Sequence, residues 1–509
     1  MRLHQLRAWR PGEPIAREQE LAWQLAELAA DRGAPPQAVV DRVVERLIDS
    51  FAVALAALDS PAVTAARHQA IAHPRLGGAH VLGLGANHPV HAQWAAWANA
   101  VAIRDLDYND SFFSLDTTHP SDNIAPILAV AEQCRRSGLD LIRGISTAYQ
   151  VQIALASAIP LTRLGLDQCT HLAPSIAAGL GALLELPVEI IYQAIQQAAH
   201  CGVTSRQTRK GAISSWKAYV PAYAGKLAIE AVDRAMRGQT SPSPVYEGVE
   251  GIVAVFLGGH EIGYQVPLVE PGEPRDAILH SYPKAHPTGY PSQAFIDMAF
   301  ELRKRIPDLE AIQRIDVYTC AHHHNVHGSG AGEREKMDPH ASRETLDHSI
   351  MYAIAVALED GEFHHQRSYA PERARRTSTV RLWQKIRTHL DPDWDRAYEQ
   401  AEDDLHRAQG GRIEIHFQAD SDQTRPLVHE LRYPHAHPLG QRPFGRAEAE
   451  HKFERLSEPW LDAESRRGFL GSVARLDKLA AGQLGGLLLP SRACLRELAE
   501  LNTASSGIF

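Results

Sequence analysis

The sequence predicts a mainly α protein with an α+β part, arranged as an all-helical domain plus a smaller α+β domain. Three observations carry that expectation. From Leu21 to Met236 apolar residues recur at the three-and-four spacing of amphipathic helices. Past Val245-Tyr246-Glu247-Gly248 the pattern changes to loops and short alternating stretches. From Arg446 the helical spacing returns, so the tail is expected to rejoin the first domain. The expected division is therefore 1–272 for the first part of the helical domain, 273–445 for the α+β domain and 446–509 for the returning helices.

Taken in order, 21–28 and 39–58 read as helices, and Val40, Val43, Val44, Leu47, Ile48 and Phe51 give the second a wide apolar face. Gly33-Ala34-Pro35-Pro36 separates them, and Ser60-Pro61 ends the second. The Gly-rich stretch 80–89 lacks the third glycine and the acidic partner of a dinucleotide fingerprint, so it reads as a turn. Further helices are expected at 94–103, 123–134, 141–159, 175–186, 188–199 and 219–236. Ala177, Ala178, Gly179, Gly181 and Ala182 would let them approach closely. Beyond the loop Glu270-Pro271-Gly272-Glu273-Pro274, residues 314–320 alternate as a strand and 344–358 form a helix. Residues 412–417 and 427–433 read as two more strands of an antiparallel sheet. No internal repeat is present.

At 509 residues the chain exceeds a single core. A formal charge of −9 with no sustained Lys/Arg block excludes the footprint of a nucleic-acid or anionic-membrane binder. The 27 histidines move the net charge towards zero as pH falls through the imidazole range. No stretch approaches the roughly 20 apolar residues of a membrane span, and the N-terminus lacks a signal-peptide core, so the expectation is a soluble cytoplasmic protein. Cys134, Cys169, Cys201, Cys320 and Cys494 include no C-x-x-C pair. That argues against a zinc knuckle or an iron–sulfur ligand set, and for buried free thiols.

Four places gather reactive groups. Residues 105–131 place Asp105, Asp107, Asp110 and Asp116 among aromatics, followed by His119 immediately before Pro120-Ser121-Asp122. A helix starting near Ser121 would direct free N–H groups beside His119 and favour a carboxylate or phosphate; equally, these residues are common helix caps in a surface loop. His171 precedes Pro174-Ser175 at another expected helix start, either as a site group or as a core-edge histidine. Arg206, Arg209, Lys210 and Lys217 form a cationic segment, readable as a binding surface or a solvated face. Lys284-Ala285-His286-Pro287 lies near the expected domain boundary, where clefts form. His322, His323, His324 and His327 lack metal-ligand spacing, so no metal or other cofactor is expected. Converging His, Lys and Asp groups suit proton abstraction beside a carboxylate, with cations stabilising the developing enolate.

Several longer segments resemble the MmgE/PrpD family: Asp107 to Ser111, His119-Pro120-Ser121-Asp122-Asn123, Ser214-Ser215-Trp216-Lys217, Tyr290-Pro291-Ser292-Gln293, Lys336-Met337-Asp338-Pro339, Ser342 to Tyr352 and Arg367 to Arg373. The similarity extends over nearly the whole chain in one order. It implies a helical domain carrying an α+β lid, and homodimers formed through the helical domains. It also implies removal of water from 2-methylcitrate to give 2-methyl-cis-aconitate in propionate breakdown, without an iron–sulfur cluster. A sister branch decarboxylates cis-aconitate, and isomerisation of a related tricarboxylate or a catalytically silent member are the other outcomes it allows.

By motif, the resemblance implies His119 or His171 as proton donor or acceptor, Lys217 and Lys284 as carboxylate clamps and Asp107 as orienter of the histidine side. Ser111 matches a usual Thr of the family's pocket, and Ser111, Arg209, Lys210 and His286 are the expected substrate-binding groups. At Gly289 the family commonly carries Glu or His. Water or a neighbouring imidazole such as His286, turned into the volume that glycine leaves, is expected to replace the missing group.

Overall fold

The computed structural model describes residues 1–489 apart from 14, 15, 420, 422 and 424; Cys494 and the end of the expected C-terminal segment lie outside the described residues. Helix Gln37–Ala56 shows how the helical part is built. From Arg46 to Ala56 every residue is buried, the mark of a helix surrounded by others. Helices Leu21–Ala30, Ala92–Asp105, Gly138–Ala158, Cys169–Leu184, Val188–Cys201 and Trp216–Met236 share its hydrophobic core. The small residues permit this packing: a Cβ on Gly179 would stand 2.8 Å from the Gly144 carbonyl oxygen and 2.9 Å from Ile127 Cδ1. The second helix ends at Ala56, ahead of Ser60-Pro61, which instead opens another, Pro61–Ile71, because a proline at the first helical position needs no N–H partner. Among the described residues no single helix is long and apolar enough to cross a membrane.

The N-terminal strand Arg2–Arg7 pairs antiparallel with Gly263–Leu268. Helices Arg446–Ser457 and Ala463–Val473 pack into the same core as residues 6–278. Phe469 stacks on Phe51 and Phe453 with ring centroids 4.9 and 4.7 Å apart, and Lys452 Nζ donates to Asp49 Oδ1 at 2.7 Å.

A second core, within residues 294–431, lies between helices Gln293–Arg303 and Ile350–Asp360 and a four-stranded sheet. The strand order is Ile386–Leu390, Ile312–Thr319, Gly411–Phe417, Leu427–Leu431. The sequence predicts an antiparallel sheet, but Ile386–Leu390 runs parallel to Ile312–Thr319, so the sheet is mixed. The long helical crossover between those two strands allows the parallel pairing. The expected helix 344–358 is two helices, Arg343–Leu346 and Ile350–Asp360. Ser342 and Ser349 cap them, accepting from Thr345 N–H and Tyr352 N–H respectively. The break leaves Asp347 and His348 outside helical structure. Cys169 and Cys320 are buried, whereas Cys134 and Cys201 are exposed, which corrects the expectation that the thiols are uniformly buried.

Candidate active site

Helix Ala92–Asp105 ends at Leu106, and Asp107 takes a left-handed φ of 49°. A non-glycine residue there costs roughly 1–2 kcal/mol, and its carboxylate makes the contacts that offset this. Arg104 Nη1 lies 3.0 Å from Oδ1, where Lys284 Nζ also binds; Lys217 Nζ lies 3.2 Å and His348 Nε2 3.5 Å from Oδ2. Lys217 Nζ also donates to Asp347 Oδ2 and Oδ1 at 2.8 and 2.9 Å, joining the helical core to the second core. Arg343 reaches Asp347 at 3.3 Å and donates to the carbonyls of Asp105 and Leu106 at 3.1 and 3.0 Å. Burial opposes ionisation of Asp107, yet Arg104, Lys217 and Lys284 hold its carboxyl well below the usual range. Asp347 is raised by burial and by its neighbour Asp107, so Asp107 is the more readily ionised of the two, and the Lys217 ammonium favours the Asp347 carboxylate against that burial. Burial brings Lys284 down to about 8 against the pull of Asp107.

Beside this network lies a narrow pocket of about 50 Å³, lined by Asp107, His119, Arg206, Arg209, His327 and His348 among others. Such a volume holds a few waters. His119 Nδ1 is 2.9 Å from the Asp110 carbonyl and 3.2 Å from Ser111 Oγ. A ring nitrogen meets a carbonyl only as a donor, so Nδ1 carries the proton and Nε2 keeps its lone pair. Burial, with Arg104 and Lys284 nearby, holds His119 well below the usual imidazole range and therefore neutral. Arg209 donates from Nε to Asp167 Oδ2 at 2.8 Å, while its buried Nη1 has no partner among the described residues. Arg206 is half-buried and makes no ion pair among the described residues. Six cations, Arg104, Arg206, Arg209, Lys217, Lys284 and Arg343, thus share three directly paired carboxylates, Asp107, Asp167 and Asp347. A neutral imidazole base beside surplus cations can accept a polycarboxylate and take a proton next to one of its carboxylates.

Of the residues expected from sequence, Asp107, His119 and Arg209 line the pocket. Lys217 and Lys284 are fully buried behind it, holding protein carboxylates; Lys217 lies in the first turn of Trp216–Met236 rather than before that helix. Ser111 is buried behind His119 and pairs through its backbone with Tyr282. His171 stands apart from the pocket wall. Asp167 accepts from Cys169 N–H at 3.0 Å and starts the helix ahead of Pro174, so His171 sits within its first turn, where burial brings it to about 3. Lys210 pairs with Glu333 across the two cores at 2.7 Å, away from the pocket. The N–H of Ser121 donates to Asp110 Oδ1 at 2.9 Å, so that turn is closed by a protein carboxylate and is not aimed beside His119.

His286 does not turn towards Gly289; its Nε2 pairs with Asp297 Oδ1 at 2.9 Å, and it faces a separate cavity of about 760 Å³. That cavity is larger and is also lined by His364, His365, Arg367 and Arg455, but the buried Asp107–Lys217–Asp347 network and the unpartnered Nη1 of Arg209 stand beside the smaller one, and that network assigns the site to it. Sequence reasoning missed Asp347, His348 and His327. The first two lay inside the Ser342 to Tyr352 segment without a role, and His327 was part of the histidine run.

That run disperses: His323 Nδ1 meets Thr319 Oγ1 at 3.2 Å, His324 Nδ1 meets Thr388 Oγ1 at 2.8 Å, and His322 stacks on Tyr398. Among the described residues the one gathering with metal-ligand proximity is Asp107, Asp347 and His348. The ammonium of Lys217 already bridges its two carboxylates, and Arg104 and Lys284 flank it, so a further cation is repelled.

Fold and site define a mainly helical protein with an α+β second domain and a pocket lined by arginines and imidazoles at their junction. The chain belongs to the MmgE/PrpD family: the family's N-terminal domain matches residues 19–265 and its C-terminal domain residues 286–478. Similar proteins include a 2-methylcitrate dehydratase of Salmonella typhi, 25% identical over 364 residues, 67% of this chain and 71% of that one. A mitochondrial 2-methylcitrate dehydratase of Yarrowia lipolytica is 26% identical over 292 residues, 54% of each chain. An alkylcitrate dehydratase of a fungal species is 23% identical over 380 residues, 71% of this chain and 72% of that one.

Proposed function

We propose that the protein is a hydro-lyase that removes water from 2-methylcitrate to give 2-methyl-cis-aconitate, without an iron–sulfur cluster. The observation that carries this reading is His119, a neutral imidazole whose Nδ1–H is fixed on the Asp110 carbonyl, leaving Nε2 as a base beside Arg206 and Arg209. In 2-methylcitrate the proton to be removed lies α to a carboxylate and β to the hydroxyl. Abstraction by Nε2 places charge on that carboxylate, where the free Nη1 of Arg209 and the unpaired Arg206 stabilise it. The names of the relatives support the same reaction class and substrate.

A pocket of about 50 Å³ is well below the roughly 300–1,000 Å³ of ligand sites, so the second domain parts from the helical core to admit a tricarboxylate. The contacts to be broken are polar, among them the buried Lys217–Asp347 bridge, Lys210 with Glu333 and Arg343 with the 105–106 carbonyls. The family resemblance supports a homodimer, which sedimentation of the purified protein tests. The activity is tested on a panel of 2-methylcitrate, citrate and cis-aconitate, following enoate absorbance and CO₂ together. Absorbance rising on 2-methylcitrate without CO₂ is the expected result; CO₂ release places the reaction in decarboxylation, and no change overturns the dehydratase reading.

A further inference from the structure

Gly289 has φ −50° and ψ 141°, a backbone that any residue adopts, so something other than conformation requires glycine there. The requirement is the imidazole of His327: a Cβ on Gly289 would lie 2.2 Å from its Cε1 and 2.8 Å from its Nδ1. Two backbone bonds fix His327 in that place, its N–H to the His323 carbonyl and its carbonyl from Ile350 N–H, both at 3.0 Å. Its ring stacks on His348 with centroids 4.6 Å apart and 21° between planes. The two rings are used differently. His348 Nδ1 is hydrogen-bonded to Asp347 and its Nε2 lies 3.5 Å from Asp107 Oδ2, whereas His327 Nδ1 is buried without a partner among the described residues, and the ring forms part of the pocket wall.

We propose that His327 is the proton donor to the departing hydroxyl, standing in the space that a side chain at 289 would fill and facing the bound tricarboxylate together with His119. The proposal rests on the dehydratase reading. As the trianion binds, His327 takes one proton from solvent, since the adjacent negative charge favours the imidazolium over the neutral ring that burial otherwise maintains. His119 Nε2 then removes the C–H proton, the electron pair forms the C=C bond, the C–O bond breaks, and the hydroxyl leaves as water with the proton of His327. Release of the enoate returns the proton of His119 to solvent.

The test uses His327→Asn, His327→Phe and Gly289→Ala in the full chain, with two readouts. The first is turnover of 2-methylcitrate. Each variant should lose roughly 10²-fold in kcat with KM little changed. Gly289→Ala belongs with the histidine variants because its methyl displaces the ring while the backbone accepts it. Wild-type turnover in His327→Phe would show that the ring only packs against His348, and would overturn the proposal while leaving the dehydratase reading intact. The second readout is carbethoxylation of wild-type His327 by diethyl pyrocarbonate, mapped by peptide mass, with and without tricarballylate as the saturated tricarboxylate probe. Protection is the expected result. If the wild type does not dehydrate 2-methylcitrate, the dehydratase reading falls and protection decides whether His327 meets the bound acid: protection supports that contact, and an unchanged rate overturns it.

Discussion

Replacing Lys217 by methionine keeps the aliphatic stem and removes the ammonium that lies 2.8 and 2.9 Å from the two oxygens of Asp347 and 3.2 Å from Asp107 Oδ2. Lys217 is fully buried, and removing one partner of a buried ion pair costs about 3–5 kcal/mol, a large part of a total stability of about 5–15 kcal/mol. The cost depends on pH. Asp347 is the carboxyl raised by burial, and once Lys217 is gone it escapes the uncompensated charge by taking a proton. The destabilisation should therefore be smaller at pH 5 than at pH 8. Because Lys217 belongs to the helical core and Asp347 to the second core, urea unfolding should also lose cooperativity between them. The assay is urea denaturation at both pH values by circular dichroism, with the m-value checked. An unchanged midpoint at pH 8 accompanied only by a raised KM would refute the reasoning, and would mean that Lys217 Nζ meets substrate rather than protein.

His286→Ala should leave kcat and KM for 2-methylcitrate within about twofold, because His286 is engaged with Asp297 away from the pocket; it should lower stability by about 1–2 kcal/mol for the partner lost, and urea titration with steady-state kinetics checks both. Activity should survive prolonged chelator treatment and desalting, since Lys217 occupies the space between the carboxylates that a metal would need; a loss restored by one added metal contradicts this. Glu247 accepts from Leu21 N–H at 2.7 Å, and burial pushes its carboxyl up to about 8. The unfolded chain releases that proton near pH 4.5, so stability falls as pH rises from about 4.5 to about 8. Glu247→Gln should therefore stabilise the protein by up to roughly 4 kcal/mol at pH 9 and by little at pH 4.5; equal unfolding midpoints of variant and wild type at pH 9 would contradict the assignment.

Side-chain periodicity made the helical part legible, because a helix such as Gln37–Ala56 writes its burial into the spacing of Val, Leu and Phe. Periodicity also misled. Residues 344–358 keep helical spacing through Asp347 and His348, yet the chain breaks there, with Ser349 starting a new helix and Asp347 drawn to Lys217. Strand Ile386–Leu390 is five residues long, and its pairing with Ile312–Thr319 depends on a crossover that local pattern does not encode. His119 was legible because its proline follows it and its aspartates precede it in one short stretch. His327 was not, since it meets Gly289 only through tertiary packing and Gly289 offers no side chain to reveal the contact. The buried roles of Lys217 and Lys284 escaped for a related reason: a lysine in a site-like motif reads as a substrate clamp until Asp107 and Asp347 are placed against it.

In the proposed dehydration of a tricarboxylate, Nε2 of His119 is the base. His119→Gln keeps an amide able to donate to the Asp110 carbonyl that now accepts from Nδ1 at 2.9 Å, and removes the basic nitrogen. The deciding measurement is the initial rate of enoate formation from 2-methylcitrate by wild type and His119→Gln side by side, at matched folded concentration. With Nε2 as the base, the wild type turns over measurably without CO₂ release and the variant is slower by roughly 10²–10⁴-fold; wild-type turnover in His119→Gln would contradict that role.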